Sequence, residues 1–206
     1  MKSLKKGFII FLISILTISL LIFITYKISF APKVKVIPID SKVELNSKSL
    51  IKKFIPKDIN LSLDGIKFNS NVSLSEEEIT GIILNSVDKN VLTDNNVTGI
   101  NTLINGNELF LYINFEYKSI PLQAVLNFNA YAKNGNAILH YNYGKVGFIN
   151  ISKSYLSNLI ENNSILKVDS NNNIILSLSK EYGIFIDETY FKDSSLNIKF
   201  HLGINF

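Results

Sequence analysis

The spacing of apolar residues divides the chain into regions of three kinds. Residues 7–26 (GFIIFLISILTISLLIFITY) form an uninterrupted run without a charged side chain. Between residues 75 and 90 apolar positions recur every three or four residues, as on one face of a helix. From residue 97 onward they mostly alternate with polar positions, which is the pattern of a strand. The chain is therefore predicted to begin with an apolar helix and to continue into a domain rich in strands.

The first run is long enough to cross a membrane as one helix. At 1.5 Å per residue it spans about 30 Å, the thickness of the hydrocarbon core. Lysines precede it, so the positive-inside rule predicts a single-pass protein of the cell membrane with a cytoplasmic N-terminus and an extracellular remainder. A cleaved signal peptide is the alternative. It is disfavoured because the run is longer than the apolar region of a usual signal peptide. In addition, Pro32 follows the one plausible cleavage point, after Ala31.

Prolines and lysines mark the segment that follows the apolar run. Each proline disfavours helix at the residue before it, and the lysines either attract anionic lipid or wall polymer or keep a linker solvated. The predicted parts of the chain are a cytoplasmic tail (1–6), a transmembrane helix (7–29), a juxtamembrane stalk and entry segment (30–60) and an extracytoplasmic domain (61–206).

The clearest helix start in the chain lies at Ser75. Its side chain can cap a helix whose third residue, Glu78, completes a capping box. An apolar stripe follows at helical spacing, so we predict a helix that ends near residue 90. The three glutamates at 76–78 suit the positive end of the helix dipole better than a metal site, because no His or Asp stands at ligand spacing nearby.

The other segments predict antiparallel strands and a second helix. Residues 61–68 alternate as a first strand, and 97–147 forms a predicted meander with an Asn134-Gly135 hairpin turn. A second helix is predicted after Ser152, and the last strand places apolar residues on one face, from Leu196 to Phe206. The predicted fold class is α+β: an N-terminal transmembrane helix, then an antiparallel β-sheet domain with two helices packed on it.

Composition excludes several kinds of function. The four lysines at positions 2, 5, 6 and 27, on the two sides of the apolar run, account for the net charge of +4, so the rest of the chain is neutral. The chain contains no Arg, and we therefore expect no nucleic-acid partner. The absence of Cys excludes disulfides, thiolate metal sites and cysteine nucleophiles.

Residue patterns that indicate catalysis are missing from the chain. It has no Gly-x-Ser-x-Gly elbow, dinucleotide fingerprint or Walker phosphate loop. His140 and His201 fall in predicted strands and are expected at the surface, and the adjacent acids Asp187 and Glu188 are expected to be solvated. A Ser-His-Asp triad stays open, since serines are plentiful. We predict a protein that is not an enzyme, with no catalytic residue, no metal site and no cofactor.

Large apolar side chains are numerous for a chain of this length, with 14 Phe and 9 Tyr. Several occur on both faces of the early strands, and such a sheet is either covered on both faces or holds something apolar. If the helix after Ser75 covers the sheet, it would form a groove with these seven residues: Ile79, Ile82, Ile83, Leu126, Phe128, Ile198 and Phe200. The alternative is an ordinary core.

The order of these segments resembles a known family. The acidic capped helix from Leu74, the strand 109–117, Ile120-Pro121-Leu122 before a long strand, the Asn-Gly turn and Gly144–Ile149 are similar to the YpmS-like membrane proteins of Gram-positive bacteria over roughly residues 7–165. That family is essentially uncharacterised, so the resemblance implies a membrane-anchored protein without a known site. A helix laid on a curled antiparallel sheet is also remotely similar to half of a tubular lipid-binding (BPI-like) domain.

Two functions stay open on the sequence alone. The first is an anchored domain that binds or handles a lipid or another apolar ligand at the cell envelope. The second is an accessory module that positions an envelope or cell-wall enzyme and has no ligand of its own. A cavity between the helix and the sheet favours the first, whereas an exposed apolar patch or sheet edge without a cavity favours the second.

Overall fold

The computed structural model describes residues 2–41, 53, 58–62, 65–152, 166–171 and 173–205. The predicted second helix, apart from Ser152, and the last residue, Phe206, lie outside this range. The described helices and strands are, in chain order, α1 (Lys2–Ser29), β1 (Ile37–Pro38), β2 (Asp58–Ser62), β3 (Gly65–Ser75), α2 (Glu76–Ser86), α3 (Lys89–Asp94), β4 (Val97–Asn105), β5 (Glu108–Tyr117), β6 (Ile120–Lys133), β7 (Asn136–Val146), β8 (Ile149–Asn150), β9 (Leu166–Val168), β10 (Asn173–Leu176), α4 (Ser179–Tyr182), β11 (Ile184–Lys192) and β12 (Ser195–Asn205).

The N-terminal helix α1 could cross a membrane. Its segment Lys6–Ser29 has the necessary length and apolar composition, and none of it is buried against the rest of the chain. The hydroxyls of Ser14, Thr17 and Thr25 each donate to the carbonyl oxygen four residues earlier, at 2.9 Å. These bonds satisfy the polar side chains inside the helix itself, as a lipid environment requires. The prediction of one apolar helix able to span a membrane is confirmed.

The larger of two antiparallel sheets contains the predicted meander. Its strand order is β1-β4-β5-β6-β7-β10-β9, and the short β8 pairs with β7. Asn134 and Gly135 have φ angles of 54° and 75°, the conformation of the predicted hairpin turn. Lys118 and Ser119 form a similar turn, with φ angles of 50° and 62°. That turn carries no glycine or asparagine, so its residues did not mark it in the sequence.

The smaller sheet has the order β11-β12-β3-β2 and joins distant parts of the chain. Its longest pairing runs β3 against β12 from Ser75 opposite Ser195 to Gly65 opposite Asn205. The prediction of a single strand over 61–68 is wrong, because β2 ends at Ser62 and pairs antiparallel with β3. The two-residue alternation continues through both arms of a hairpin, so it could not show where the first arm ended.

The helix α2 begins where the sequence predicts. The Ser75 hydroxyl accepts from the backbone N–H of Glu78 at 3.2 Å, and the Glu78 carboxylate accepts from the Ser75 N–H at 2.9 Å. The helix ends at Ser86 and not near residue 90, because Val87 is extended and Asp88 caps a new helix, α3. Leu92 of α3 is buried against the larger sheet. The α+β class is confirmed, with α2 and α3 packed on the antiparallel sheets, while the second helix that the sequence predicts, after Ser152, lies outside the described residues.

The main core lies between the inner faces of the two sheets. Tyr141 and Val72, one from each sheet, are fully buried, and the Tyr141 ring meets Phe128 edge-on with centroids 5.7 Å apart. Burial raises the pKa of the Tyr141 hydroxyl, which donates to the carbonyl oxygen of Ile151 at 3.3 Å. The other buried members of this core are Leu74, Ile79, Ile104, Leu109, Leu126, Ala137, Ile186, Phe191, Ile198 and Phe200.

Side chains of α2 protect the exposed edge of β4. The short β1 pairs only with Gly99 and Ile100, which leaves later N–H groups of β4 without a strand partner. Thr80 accepts the N–H of Thr102 through its hydroxyl at 2.9 Å, and the Glu76 carboxylate accepts the N–H of Ile104 at 2.6 Å. The helix therefore satisfies backbone groups that would otherwise form a template for another strand.

Replacing Thr80 by valine is expected to lower the free energy of unfolding by about 1–2 kcal/mol, because the Thr102 N–H becomes a buried donor without a partner. Shape is nearly conserved, so lost hydrogen bonding causes the effect. Urea unfolding of the full chain followed by circular dichroism measures it. The matched control is Thr93→Val in the exposed part of α3. Equal effects at the two positions would show that Thr80 does not hold the edge.

Candidate functional site

The structure places the seven predicted groove residues in one packed core. Five of them are buried, and Ile82 and Ile83 of α2 are partly buried against the others. Leu126 and Phe128 belong to the larger sheet, whereas Ile198 and Phe200 belong to the smaller. The seven residues contact one another and other residues of the smaller sheet, such as Val72 and Phe191. Entry of a ligand between them stays a prediction.

A charged cluster lies on the outer face of the smaller sheet. The Nδ1 atom of His201 is 2.9 Å from both carboxylate oxygens of Asp187, and its ring stacks on Phe185 with centroids 5.3 Å apart. Beside this pair, Lys199 Nζ lies 2.7 Å from the Glu188 carboxylate. This hydrogen bond raises the pKa of Lys199. Both acids are paired, yet their side chains stay about half exposed, 47% for Asp187 and 54% for Glu188, so they remain in contact with solvent.

A β-bulge explains why the sequence did not reveal this cluster. The register between β11 and β12 shifts between Ile186 and Glu188, which leaves Asp187 without a paired residue in β12. The bulge brings both neighbouring acids to the partners on β12, although strict alternation would separate them. An open depression of about 360 Å³ lies beside them, lined by Asn69, Ser70, Asn71, Asp187, Glu188, Lys199 and Phe200. Within the described residues, no three His, Asp or Glu side chains are grouped as metal ligands.

The other histidine belongs to a network that fixes a turn. His140 Nδ1 lies 2.7 Å from the Asn173 side-chain oxygen, and the Asn173 amide donates to Asp169 at 2.7 Å. Burial alone raises the pKa of Asp169, but hydrogen bonds from Asn173 and Asn171 outweigh it and lower that pKa. Because the Asn173 amide nitrogen donates to Asp169, the Asn173 atom that faces His140 is the side-chain oxygen. This oxygen accepts from His140 and, at 3.5 Å, from the Tyr131 hydroxyl. The network joins β7 to β10 and holds the turn before β10.

A second depression surrounds the start of α2. It is lined by Lys53, Asn71, Ser73, Ser75, Glu78 and Ser195. The ammonium group of Lys53 lies 2.6 Å from a carboxylate oxygen of Glu78 and donates to the Ser73 carbonyl at 2.9 Å. Burial raises the pKa of Glu78, but the hydrogen bonds from Lys53 and the Ser75 backbone together lower it below its ordinary value.

Acidification is expected to remove the stabilisation that Glu78 provides. Because its folded-state pKa is lower than 4.5, this stabilisation is complete above pH 4.5 and is lost as the pH falls through the folded value. Glu78→Gln keeps an acceptor for the cap but cannot titrate, so it should cost about 0.5 kcal/mol at pH 7 and less at pH 3. Urea unfolding at both pH values measures this. Glu77→Gln, at an exposed position, is the control. If the free energy of unfolding changes with pH in the same way for both variants, Glu78 does not provide this stabilisation.

The end of α1 is attached to the larger sheet. The Tyr26 hydroxyl donates to the Pro121 carbonyl at 2.8 Å, and the Phe30 ring meets Phe148 edge-on with centroids 4.9 Å apart. Gly147 has a φ of +61°, and a Cβ there would lie 2.7 Å from the Phe30 ring. The close approach therefore requires glycine at position 147.

Gln123 of β6 joins the segment after α1 to the sheet. Its side-chain oxygen accepts from the N–H groups of Lys33 and Val34, at 3.2 and 3.3 Å. Its amide donates to the Val34 carbonyl at 2.9 Å and to the Asn114 side chain at 2.8 Å. No local signal marks this residue, because an alternating strand makes Gln123 resemble an ordinary solvent-facing position. The early part of 30–60 therefore lies on the domain, and most of the remainder is outside the described residues.

Comparison with known proteins adds no relative to this picture. No protein-family model, curated protein or solved structure matches the chain. The resemblances to YpmS-like proteins and to tubular lipid-binding domains stay predictions. The geometry of the described residues is therefore the basis for a functional proposal.

Proposed function

We propose that the chain is a single-pass membrane protein of a Gram-positive bacterium, with a cytoplasmic N-terminus and the β-rich domain on the outer face. Residues 7–26 supply the membrane contact, and the lysines before them support this orientation. The chain has no Cys, so single-cysteine variants can test topology. An impermeant maleimide should label Asn107→Cys in intact cells and Ser3→Cys only after lysis. The reverse pattern would overturn the orientation.

The proposed role is that of a non-enzymatic accessory module, which presents its domain to an envelope or cell-wall protein in the same membrane. The junction between α1 and the larger sheet carries this proposal. Hydrogen bonds from Tyr26 and around Gln123 hold the domain in one orientation and at one height above the anchor. A flexible tether would let the domain sample many orientations, whereas this junction suits a surface that meets a neighbour fixed in the membrane.

Binding of a lipid or another apolar ligand is the alternative to an accessory module. An acyl chain between α2 and the sheets would displace packed side chains such as Phe128 and Ile198. It would also move α2 against the hydrogen bonds that Thr80 and Glu76 make to β4. The packed core therefore supports a module without its own ligand.

Exposed aromatic residues on the outer faces of the sheets provide positions for a partner test. Tyr143 of the larger sheet and Phe185 of the smaller are both exposed, and aromatic residues are enriched in protein interfaces. A photoreactive amino acid at each position in the full-length chain should give a discrete protein adduct in host membranes. Lys133, also exposed, is the control position. Equal adducts at all three positions, or none at 143 and 185, would contradict the module.

The ligand alternative has a separate measurement. Residues 30–206 retain the Gln123 contacts and can be purified without detergent after a check of folding by circular dichroism. Native mass spectrometry should then give the protein mass alone, before and after incubation with envelope lipids. A discrete added mass that organic solvent extracts as a lipid would show that the domain holds a ligand. It would overturn the proposal of a module without one.

A further inference from the structure

Four strongly exposed apolar side chains lie together at one end of the larger sheet. We call them the tip surface: Tyr117, Ile120, Phe148 and Ile149, which are 60%, 48%, 67% and 56% exposed. Among the other described large apolar residues outside α1, Tyr182 is 56% exposed and the rest are at most 41% exposed. Apolar side chains that cluster at such exposure mark a surface with a partner.

The pairing of strands brings the tip surface together from two turns. Tyr117 pairs with Ile120 across the turn between β5 and β6. Ile149 pairs with Val146 of β7, and Val146 pairs with Ala124 of β6. Both turns therefore lie at the same end of β6, next to the segment that follows α1.

Contacts with α1 set the height of the tip surface relative to a membrane. Tyr26 ends the apolar segment 7–26, so in a membrane it lies at the far interface. Its hydroxyl is bonded to the carbonyl of Pro121, the residue after Ile120. Phe30, one turn further along, touches Phe148. The tip surface is consequently held beside the plane in which the helix leaves the hydrocarbon.

The residues around the tip surface have the chemistry of a membrane interface. Tyrosine and other aromatic side chains concentrate at that depth, where a ring is partly in hydrocarbon and partly among headgroups. The ammonium of Lys118 lies 5.6 Å over the Tyr117 ring, and that of Lys27 lies 5.7 Å over the Phe23 ring. Such lysines cover apolar surface with their stems and extend their charge toward anionic phosphates.

We infer that the tip surface is a second membrane-binding site, which inserts into the interface of the bilayer that α1 crosses. The occupant is the headgroup and upper acyl region of an anionic lipid surface. The inference rests on the anchoring part of the proposed function and is independent of any protein partner. The domain then stands on the membrane at two places, the helix and the tip surface, which prevents it from tilting about the junction.

The test uses the full chain in nanodiscs that contain phosphatidylglycerol and a lipid with a nitroxide on its upper acyl chain. Single cysteines at Ser119 and Asn150 carry a fluorescent label beside the tip surface and leave its four apolar side chains in place. Leu16→Cys labels the anchor. Asn107→Cys labels the opposite end of β5. Because this strand has 10 residues, position 107 lies about 33 Å from the tip surface.

The labels at positions 119 and 150 should lose most of their fluorescence to the nitroxide lipid, as the label at 16 does, while the label at 107 stays bright. Adding Ile149→Ser to the Ser119→Cys variant should reduce the loss at 119, because an apolar contact is removed. Bright labels at 119 and 150 beside a quenched label at 16 would overturn the second site and leave the anchor intact. A bright label at 16 would overturn both.

Discussion

Replacing Phe128 by alanine should lower the free energy of unfolding by about 3–5 kcal/mol, the usual cost of truncating a buried aromatic side chain. Phe128 is only 4% exposed and belongs to the core between the sheets. Its ring lies edge-on to Tyr141, whose hydroxyl is bonded to Ile151. Because that bond restrains Tyr141, the surrounding core can close the resulting cavity only in part.

The size of this effect separates a core from a groove. Urea unfolding of the full chain in detergent micelles, followed by circular dichroism, measures the free energy. Phe185→Ala is the matched control, since Phe185 is exposed and loses mainly its stacking on the His201 ring, worth about 1 kcal/mol. A loss at position 128 no larger than at 185 would mean that Phe128 lines open space. Binding of an apolar ligand would then become the leading function.

Replacing Gln123 by alanine should release the segment after α1 from the sheet. The side chain is 7% exposed, and its removal leaves two N–H groups and one carbonyl of Lys33 and Val34 without their partner. Each such group costs about 1–3 kcal/mol when buried, although water entering the space offsets part of this. We expect a local loss of roughly 2–3 kcal/mol.

Hydrogen exchange measures the junction directly. A local loss of that size corresponds to an increase of about 30–150-fold in the exchange of the Lys33 and Val34 amides. Amides near the start of β7, such as that of Ile138, should keep their rates. Asn129→Ala, on the same strand, is the control because the Asn129 side chain is bonded to Asn142 and not to the segment after α1. Unchanged exchange at 33 and 34 would remove the main support for a domain held in one orientation.

Features set by neighbours along the chain were predictable. The capping box needs only Ser75 and Glu78, three residues apart, and it forms at the predicted place. Asn134-Gly135 adopts its hairpin turn because both residues tolerate positive φ at little cost. The apolar run of α1 needs no tertiary contact to be helical in lipid.

Features that depend on pairing between distant residues could not be predicted from the sequence. Two boundaries between neighbouring segments were also misplaced: the hairpin of β2 and β3 was predicted as one strand, and the end of α2 was placed four residues late. The pairing of Asp187 with His201 depends on a bulge between two strands, which no local pattern indicates. The role of Gln123 depends on residues some ninety positions earlier in the chain.

The sequence by itself determined that an apolar helix precedes an α+β domain, and it predicted that seven apolar residues line one groove. Periodicity and capping are local properties, so they can be recognised without coordinates. Only the tertiary structure decided what fills the space between those residues and how the domain sits on its anchor. Both depend on strand register and on long-range contacts, in which the smaller sheet closes the core and Gln123 joins α1 to the larger sheet.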